Sequence, residues 1–206
     1  MPCMRTPTGS PSRRGPARSS PGGAHRRERR DRRGLCLALV LSPVVANLHA
    51  MTPTESAIPS TFQAVGQTTL RFLGFKIYDA RLLAPQGAAL DAFEQHPFAL
   101  ELTYARRLEG KLIAERSLIE MRRIGNFSDA QAQRWMAWMQ QAFPDVNTGD
   151  RLTGVHAGKG RCRFFHNAQL RGEFDDATFT RLFFGIWLHP QTSAPALRRA
   201  LIGADR

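Results

Sequence analysis

Tyrosine is nearly missing from this chain: 206 residues contain only Tyr78 and Tyr104, so chemistry that needs a phenol has two places to happen. Cysteine is almost as scarce. Cys3 and Cys36 lie in the first fifty residues and only Cys162 follows, so the rest of the chain can form no internal disulfide. No CxxC or Cys/His cluster suggests zinc or iron–sulfur, and Cys162 in "RCRFFH" reads as a small buried apolar residue. His96, His156, His166 and His189 are scattered without ligand-like spacing, so no metal is expected. Phosphate-binding and hydrolytic motifs are missing too. "GVHAGKG" has neither the following Ser/Thr nor the helix of a P-loop, and there is no dinucleotide GxGxxG, GxSxG elbow or HExxH. No cofactor is expected.

An excess of acidic residues is also lacking, and the net charge is +12. Its distribution matters more than its size. Residues 1–50 hold ten Arg against Glu28 and Asp31, whereas residues 51–206 hold nineteen Lys and Arg against fifteen Asp and Glu. The basicity belongs to the N-terminal stretch, and the remainder is an ordinary mixed-charge globule, so a nucleic-acid partner is not expected. Residues 5–34, rich in Pro, Gly, Ser and Arg, cannot bury enough apolar surface to fold. "RRDRRGLCLALVLSPVVANLHA" then follows the grammar of a signal peptide: a basic region, an apolar stretch from Leu35 to about Leu48, and small residues near Ala46 and Ala50. That stretch is too short and too interrupted by Pro for a membrane span. The plainer alternative is a disordered basic tail or nuclear-localisation-like run. Residues 1–50 are therefore expected to be a disordered tail with a signal peptide, the tail being longer than a signal needs because of a start assigned too far upstream, and residues 51–206 a periplasmic or otherwise exported domain without an integral membrane span.

Along 51–206 the hydrophobic period changes several times. "FQAVGQTTLRFLGFKIYDARLL" alternates with period two, predicting one or two strands from about Phe62 to Leu83, hinged near Gly66 and kinked or bulged near Gly74. "APQGAAL" is a turn, and "HPFALELTYAR" is a strand with Phe98, Leu100, Leu102 and Tyr104 on one face. "GKLIAERSLIEMRRIG" predicts a helix with Leu112, Ile113, Leu118, Ile119 and Met121 as its apolar positions. Glu115, Arg116, Glu120, Arg122 and Arg123 form a solvated face. "SDAQAQRWMAWMQQAF" predicts a second helix with Ser128 and Gln131 at capping-box spacing and a core flank of Trp135, Met136, Trp138, Met139 and Phe143. A strand near Arg151–Val155 and a hairpin around Asn167 and Ala168 follow. Two closing helices come last, one capped by Asp175 or Asp176, the other by Ser193 with Pro195 inside and Gly203 at its exit. Strands, two helices, strands, two helices imply class α+β: an antiparallel sheet with a helical layer on one face.

Within "FKIYDARLL" four polar side chains interrupt an apolar strand. Strict alternation puts Phe72, Gly74, Lys76 and Tyr78 on one face and Leu73, Phe75, Ile77 and Asp79 on the other. The second face looks like core, and Asp79 and Arg81 look like turn and surface charges. The first face brings an ammonium and a phenol together, which a ligand carboxylate could satisfy if helices cover them. Spacing alone favours the simpler outcome, in which Lys76 reaches water and Tyr78 packs with a satisfied hydroxyl.

"GFKIYDARLL", "GDRLTGV" and "NAQLRGEFDDATFTRLFFGIWLHPQTSAPALRRALIG" together resemble the bacterial chalcone-isomerase-like family, from about Phe62 to Gly203. "FFGIWL" followed by "LRRALIG" is the most specific part. The resemblance implies the open-faced β-sandwich of chalcone isomerase. It does not imply one activity. Chalcone cyclisation in that family uses an Arg on an early strand, a Thr on the long strand, and Tyr, Lys and Asn on a following helix. Here Tyr78 matches the Thr position best, and "GKLIAERSLIEMRR" has neither Tyr nor Asn. The Arg position falls near Leu70, leaving Arg71 one residue away and on the opposite face. A fatty-acid-binding branch of the superfamily, in which Arg and a strand Tyr hold a carboxylate, is matched better. The expectation is a non-catalytic protein that binds a small apolar or carboxylate ligand such as a fatty acid, with Tyr78, Lys76 and Arg71 as polar anchors. The alternative is an isomerase or intramolecular lyase acting on another substrate.

Overall fold

Alternating sequence becomes strand and 3.6-period sequence becomes helix in the order the pattern predicts. The structure is a computed structural model that describes residues 57–204; the expected tail and signal peptide lie outside the described residues. β1 (Gln63–Phe72), β2 (Phe75–Ala84) and β3 (Phe98–Tyr104) come first, with a short 3-10 helix, Leu90–Gln95, before β3. α1 (Gly110–Ile124) and α2 (Asp129–Ala142) follow, then β4 (Arg151–His156), β5 (Arg161–His166) and β6 (Gln169–Asp175). α3 (Ala177–Leu188) and α4 (Pro195–Ile202) close the fold. The six strands form one antiparallel sheet in chain order.

The large core lies between the sheet and its helices. Tyr78, Ala80, Leu82 and Ala84 of β2 and Phe98, Leu100, Leu102 and Tyr104 of β3 all face it. A smaller apolar group on the other side joins Leu83, Ala99, Val155 and Phe165 to Ala57, Ile58 and Phe62. Cys162 is buried, its Sγ–H donating to the Phe174 carbonyl at 3.6 Å, and burial pushes the thiol up to about 12.

Local signals hold at the helix ends. Ser128 and Gln131 form the expected capping box, and Asp176 Oδ1 accepts from the Phe179 N–H at 3.0 Å. Gly203 ends α4 in the left-handed conformation. Ser193 does not cap α4: the cap position is Ala194, and Thr192 Oγ1 accepts its N–H at 3.2 Å. α1 departs further. Its buried positions are Gly110, Ala114, Ser117, Glu120, Met121 and Ile124, while Leu112 and Ile119 are half exposed. The core face of α1 is thus built largely from small and polar residues, which hydrophobic periodicity cannot see.

The first hairpin corrects the predicted faces. Leu73 and Gly74 are its two-residue turn, so Leu73 is a tip residue, 81% exposed, and Phe75 is 65% exposed; neither is core. Pairing runs Leu70 with Tyr78, then Arg71 with Lys76, leaving Ile77 as an extra residue in β2. This bulge breaks the period of two. Tyr78 therefore faces the core, while Lys76 lies with Asp79, its Nζ 2.6 Å from the Asp79 carboxylate. Asp79 is also bonded by Thr69 Oγ1 at 2.7 Å, and Arg81 pairs with Glu101 at 3.1 Å. Both are mid-strand residues of the outer face rather than turn charges.

A second irregularity places α4. Val65 is an extra residue in β1, and at Gly66 the Ala200 and Leu201 carbonyls of α4 come within 2.2 Å of where a Cβ would sit. Only glycine permits this approach. Gly66→Ala is expected to cost about 2–3 kcal/mol of overpacking energy, read as a lower denaturation midpoint at unchanged slope. An unshifted midpoint would show that α4 can retreat freely.

Candidate functional site

Between sheet and helices lies a cavity of about 630 Å³, within the ~300–1,000 Å³ typical of ligand sites. Leu100, Leu102, Leu152, Gly154 and Phe164 form its sheet wall. Ile113 and Ser117 of α1, Phe183, Phe184 and Trp187 of α3, and Leu197 of α4 form the helical wall. A Cβ on Gly154 would stand 2.9 Å from the Phe184 ring, so glycine at this position of β4 lets the Phe184 and Phe164 rings pack directly on the strand backbone. Phe72 and Leu112 line the cavity yet are 64% and 51% exposed, so it reaches the surface beside the first hairpin.

Tyr78 stands on the cavity wall at the middle of β2, 9% exposed. Its hydroxyl accepts a hydrogen bond from Trp187 Nε1–H at 2.9 Å, joining β2 to α3 across the layer. Because Trp187 can only donate, the phenol's own proton stays available. Tyr104 is the direct cross-strand neighbour, its ring edge-on to Tyr78 at 5.8 Å. Burial pushes Tyr78 up to about 12; the Trp187 bond opposes this and the Glu120 charge adds to it. Burial likewise raises Tyr104, with a smaller push from Tyr78. Both are neutral donors at any physiological pH.

The other polar feature of the wall was missed by sequence reasoning. Glu120 is 5% exposed and lines the cavity, although the charges of this helix were expected to form a solvated face. Its Oε1 is 2.5 Å from Arg116 Nη2 and its Oε2 3.7 Å from Arg123 Nε. Oε1 nevertheless makes no aligned hydrogen bond: the guanidinium approaches as a charge, off its N–H directions. Arg116 itself lines the cavity while remaining mostly exposed. Sequence held one usable hint, the i,i+4 spacing of Arg116 and Glu120, but spacing does not tell which partner is buried. Ser117 is committed, its hydroxyl donating to the Ile113 carbonyl at 2.8 Å.

The three residues singled out from sequence therefore separate. Tyr78 is on the wall. Arg71 borders the cavity at its rim, its Nη1 donating to the Gly74 carbonyl at 3.3 Å and its charge helping to hold Asp79 below the usual carboxylate range, after Lys76 and Thr69. Lys76 is not part of the lining, because the Ile77 bulge turns it to Asp79. Among the described residues, no group of three His, Cys, Asp or Glu stands together as a metal site.

No protein-family model matches the chain. An uncharacterized protein of Haemophilus influenzae is 28% identical over 158 residues, 76% of each chain. Among solved structures, a fatty-acid binding protein of Arabidopsis thaliana superposes with a TM-score of 0.57 at 9% identity, covering 72% of this chain and 90% of that one. The likeness is one of fold: the chain has the chalcone-isomerase-like α+β architecture, an antiparallel sheet with a helical layer on one face.

With only two tyrosines, the site can be titrated by ultraviolet absorbance. Tyrosinate absorption should stay absent well past pH 10 in the folded protein and rise only near or above pH 12. Each raised pKa stabilises the fold fully below the unfolded value of about 10 and loses that contribution as pH climbs through the folded value. Stability should thus fall between about pH 10 and 12, and Tyr78→Phe should flatten part of that fall. Normal titration of both phenols in the folded state would show them solvated.

Proposed function

We propose that this is an exported, non-catalytic member of the bacterial chalcone-isomerase-like family, with a folded domain over 51–206. In this reading it holds a small apolar ligand, a fatty acid or a similar carboxylate, between sheet and helices. The observation that carries the reading is the cavity of about 630 Å³, apolar over most of its wall and supplied with one free phenol proton at Tyr78. The fatty-acid binding protein that shares the fold adds support. Export is supported by the basic–apolar–small pattern before residue 51. Among the described residues no helix is long and apolar enough to cross a membrane.

Magnitudes decide what each part contributes. Each buried methylene of a ligand chain gains about 0.8 kcal/mol, so about ten of them outweigh any single polar contact. An exposed guanidinium adds about 1 kcal/mol or less. The apolar wall thus provides affinity, and the polar groups orient the head. Glu120 repels a carboxylate placed beside it and already engages Arg116, so the head belongs at the Arg71 rim, with the chain running inward past Tyr78. Lys76 takes no part.

Delipidated protein should take up a fluorescent fatty acid, and a trace of bound lipid should appear in native mass spectra. Filling the helical wall with Ile113→Trp should cost far more affinity than Arg71→Ala, which should weaken binding about three- to fivefold, in line with one exposed ion pair. Arg71→Ala should spare the matching fatty alcohol. Absence of uptake, with Ile113→Trp and Tyr78→Phe indistinguishable from the parent, would defeat the proposal. Turnover of a chalcone panel that vanishes in Tyr78→Phe would replace it with an isomerase.

A further inference from the structure

The tip of the first hairpin breaks two rules at once. Leu73 and Gly74 both have positive φ, 49° and 83°, the geometry of a turn that favours Asn-Gly or Gly-Gly. Leucine is strained in that region, so turn chemistry does not explain its presence. Nor does packing. Phe72, Leu73 and Phe75 are 64%, 81% and 65% exposed, three large apolar side chains gathered at one protruding point. Soluble surfaces rarely keep such a group without a use for it.

The charges around the tip narrow the choice of partner. Arg71 and Lys76 face each other across the hairpin one step behind the tip. Arg106 stands over the Phe75 ring at 5.7 Å. Lys76 is paired with Asp79 and the neighbouring Arg107 with Asp145, but Arg71 and Arg106 make no ion pair among the described residues. The tip is therefore apolar at its end and cationic at its base. A rigid protein partner needs a broad matched surface of about 1,000 Å², which three residues on a convex turn do not offer. A second copy of the chain would bring like charges together. An acyl layer under anionic headgroups accepts both features: the rings and Leu73 enter the hydrocarbon, and the guanidiniums bind phosphate.

Phe72 belongs to both surfaces, since it sits at the tip and lines the cavity, and half-exposed Leu112 of α1 lines the cavity as well. We infer that the Phe72–Leu73–Gly74–Phe75 tip docks on an anionic lipid bilayer and sets the cavity mouth against it. A lipid-derived ligand then passes between bilayer and cavity without crossing water. The docking stands independently of the proposed ligand; the transfer rests on it.

The test uses the full chain, vesicles of phosphatidylcholine, and vesicles of phosphatidylcholine with phosphatidylglycerol. The protein should sediment with the anionic vesicles, and hydrogen exchange at residues 71–76 should slow when they are added. Leu73→Asn/Phe75→Ser, which leaves the cavity lining intact, should bind anionic vesicles about tenfold more weakly or worse and lose that local protection, while Leu73→Asn suits the turn and keeps the hairpin. The variant should still take up a fatty acid from solution but not from vesicles. Equal sedimentation of parent and variant with no protection at the tip would overturn the proposal, attributing attraction to the arginine-rich first fifty residues. No vesicle binding, or concentration-dependent self-association that the variant abolishes, would overturn it as well. Vesicle docking without fatty-acid uptake would remove only the ligand.

Discussion

A hydrogen bond between residues 109 positions apart, Trp187 Nε1–H to the Tyr78 hydroxyl, ties the sheet to the helical layer at the wall of the cavity. It can form only if α3 lies at one height above β2, and aromatic packing fixes that height. Over β5 and β6 the rings are dense: Trp138 stacks on Phe174 at 4.6 Å, and Phe164 meets Phe183 edge-on at 5.0 Å. Over β3 and β4 the rings continue, with Phe98 edge-on to Phe184 at 4.8 Å. Phe164, Phe183, Phe184 and Trp187 belong to this aromatic set and, with Tyr78 and the leucines of β3, form the boundary of the cavity.

The same boundary concentrates the site's electrostatics. A carboxylate 5% exposed, Glu120, sits in an apolar wall and is balanced by guanidiniums that remain mostly in water. Such an arrangement sets the negative charge inside the wall and the positive charges on its water-facing side. Removing Arg116 would leave the buried Glu120 with only Arg123 at 3.7 Å, which costs more than the pair itself contributes. The exposed apolar pair of α1, Leu112 and Ile119, sits on the same helix that presents Glu120 inward. This helix has its polarity partly reversed. Leu112 borders the cavity, so its exposed side chain belongs to the opening; Ile119 does not line it.

That reversal also explains how much was legible. Strand and helix order, the capping box at Ser128, the Asn167–Ala168 turn and the Phe98-to-Tyr104 core face all follow from local rules that the folded chain obeys. The α+β architecture followed from their order. What failed was the assumption of unbroken period around residues 72–79. One extra residue, Ile77, moves Lys76 off the face of Tyr78, and a two-residue turn moves Leu73 and Phe75 out of the core. A bulge near Gly74 was expected, but its residue could not be assigned, and a shift of one position reverses every face on one side of it. Glu120 was missed for another reason: burial of a charge is a tertiary fact, and nothing in an i,i+4 pair records it.

The state of the phenols separates holding a molecule from transforming one. With its pKa near 12, Tyr78 is ionised at neutral pH in roughly one molecule in 10⁵, so it is a poor base. Glu120, the carboxylate of the cavity wall, is held by arginines, and Ser117 gives its proton to the backbone. A general base must be both accessible and matched to the working pH; these groups are fixed, neutral or committed. A hydrogen-bond donor has the opposite requirement. The tyrosines' burial keeps their protons in place, and the Trp187 bond uses the Tyr78 oxygen as acceptor while leaving its O–H to point elsewhere. The burial that leaves Tyr78 a poor base is therefore the same feature that keeps it a hydrogen-bond donor beside the cavity it lines.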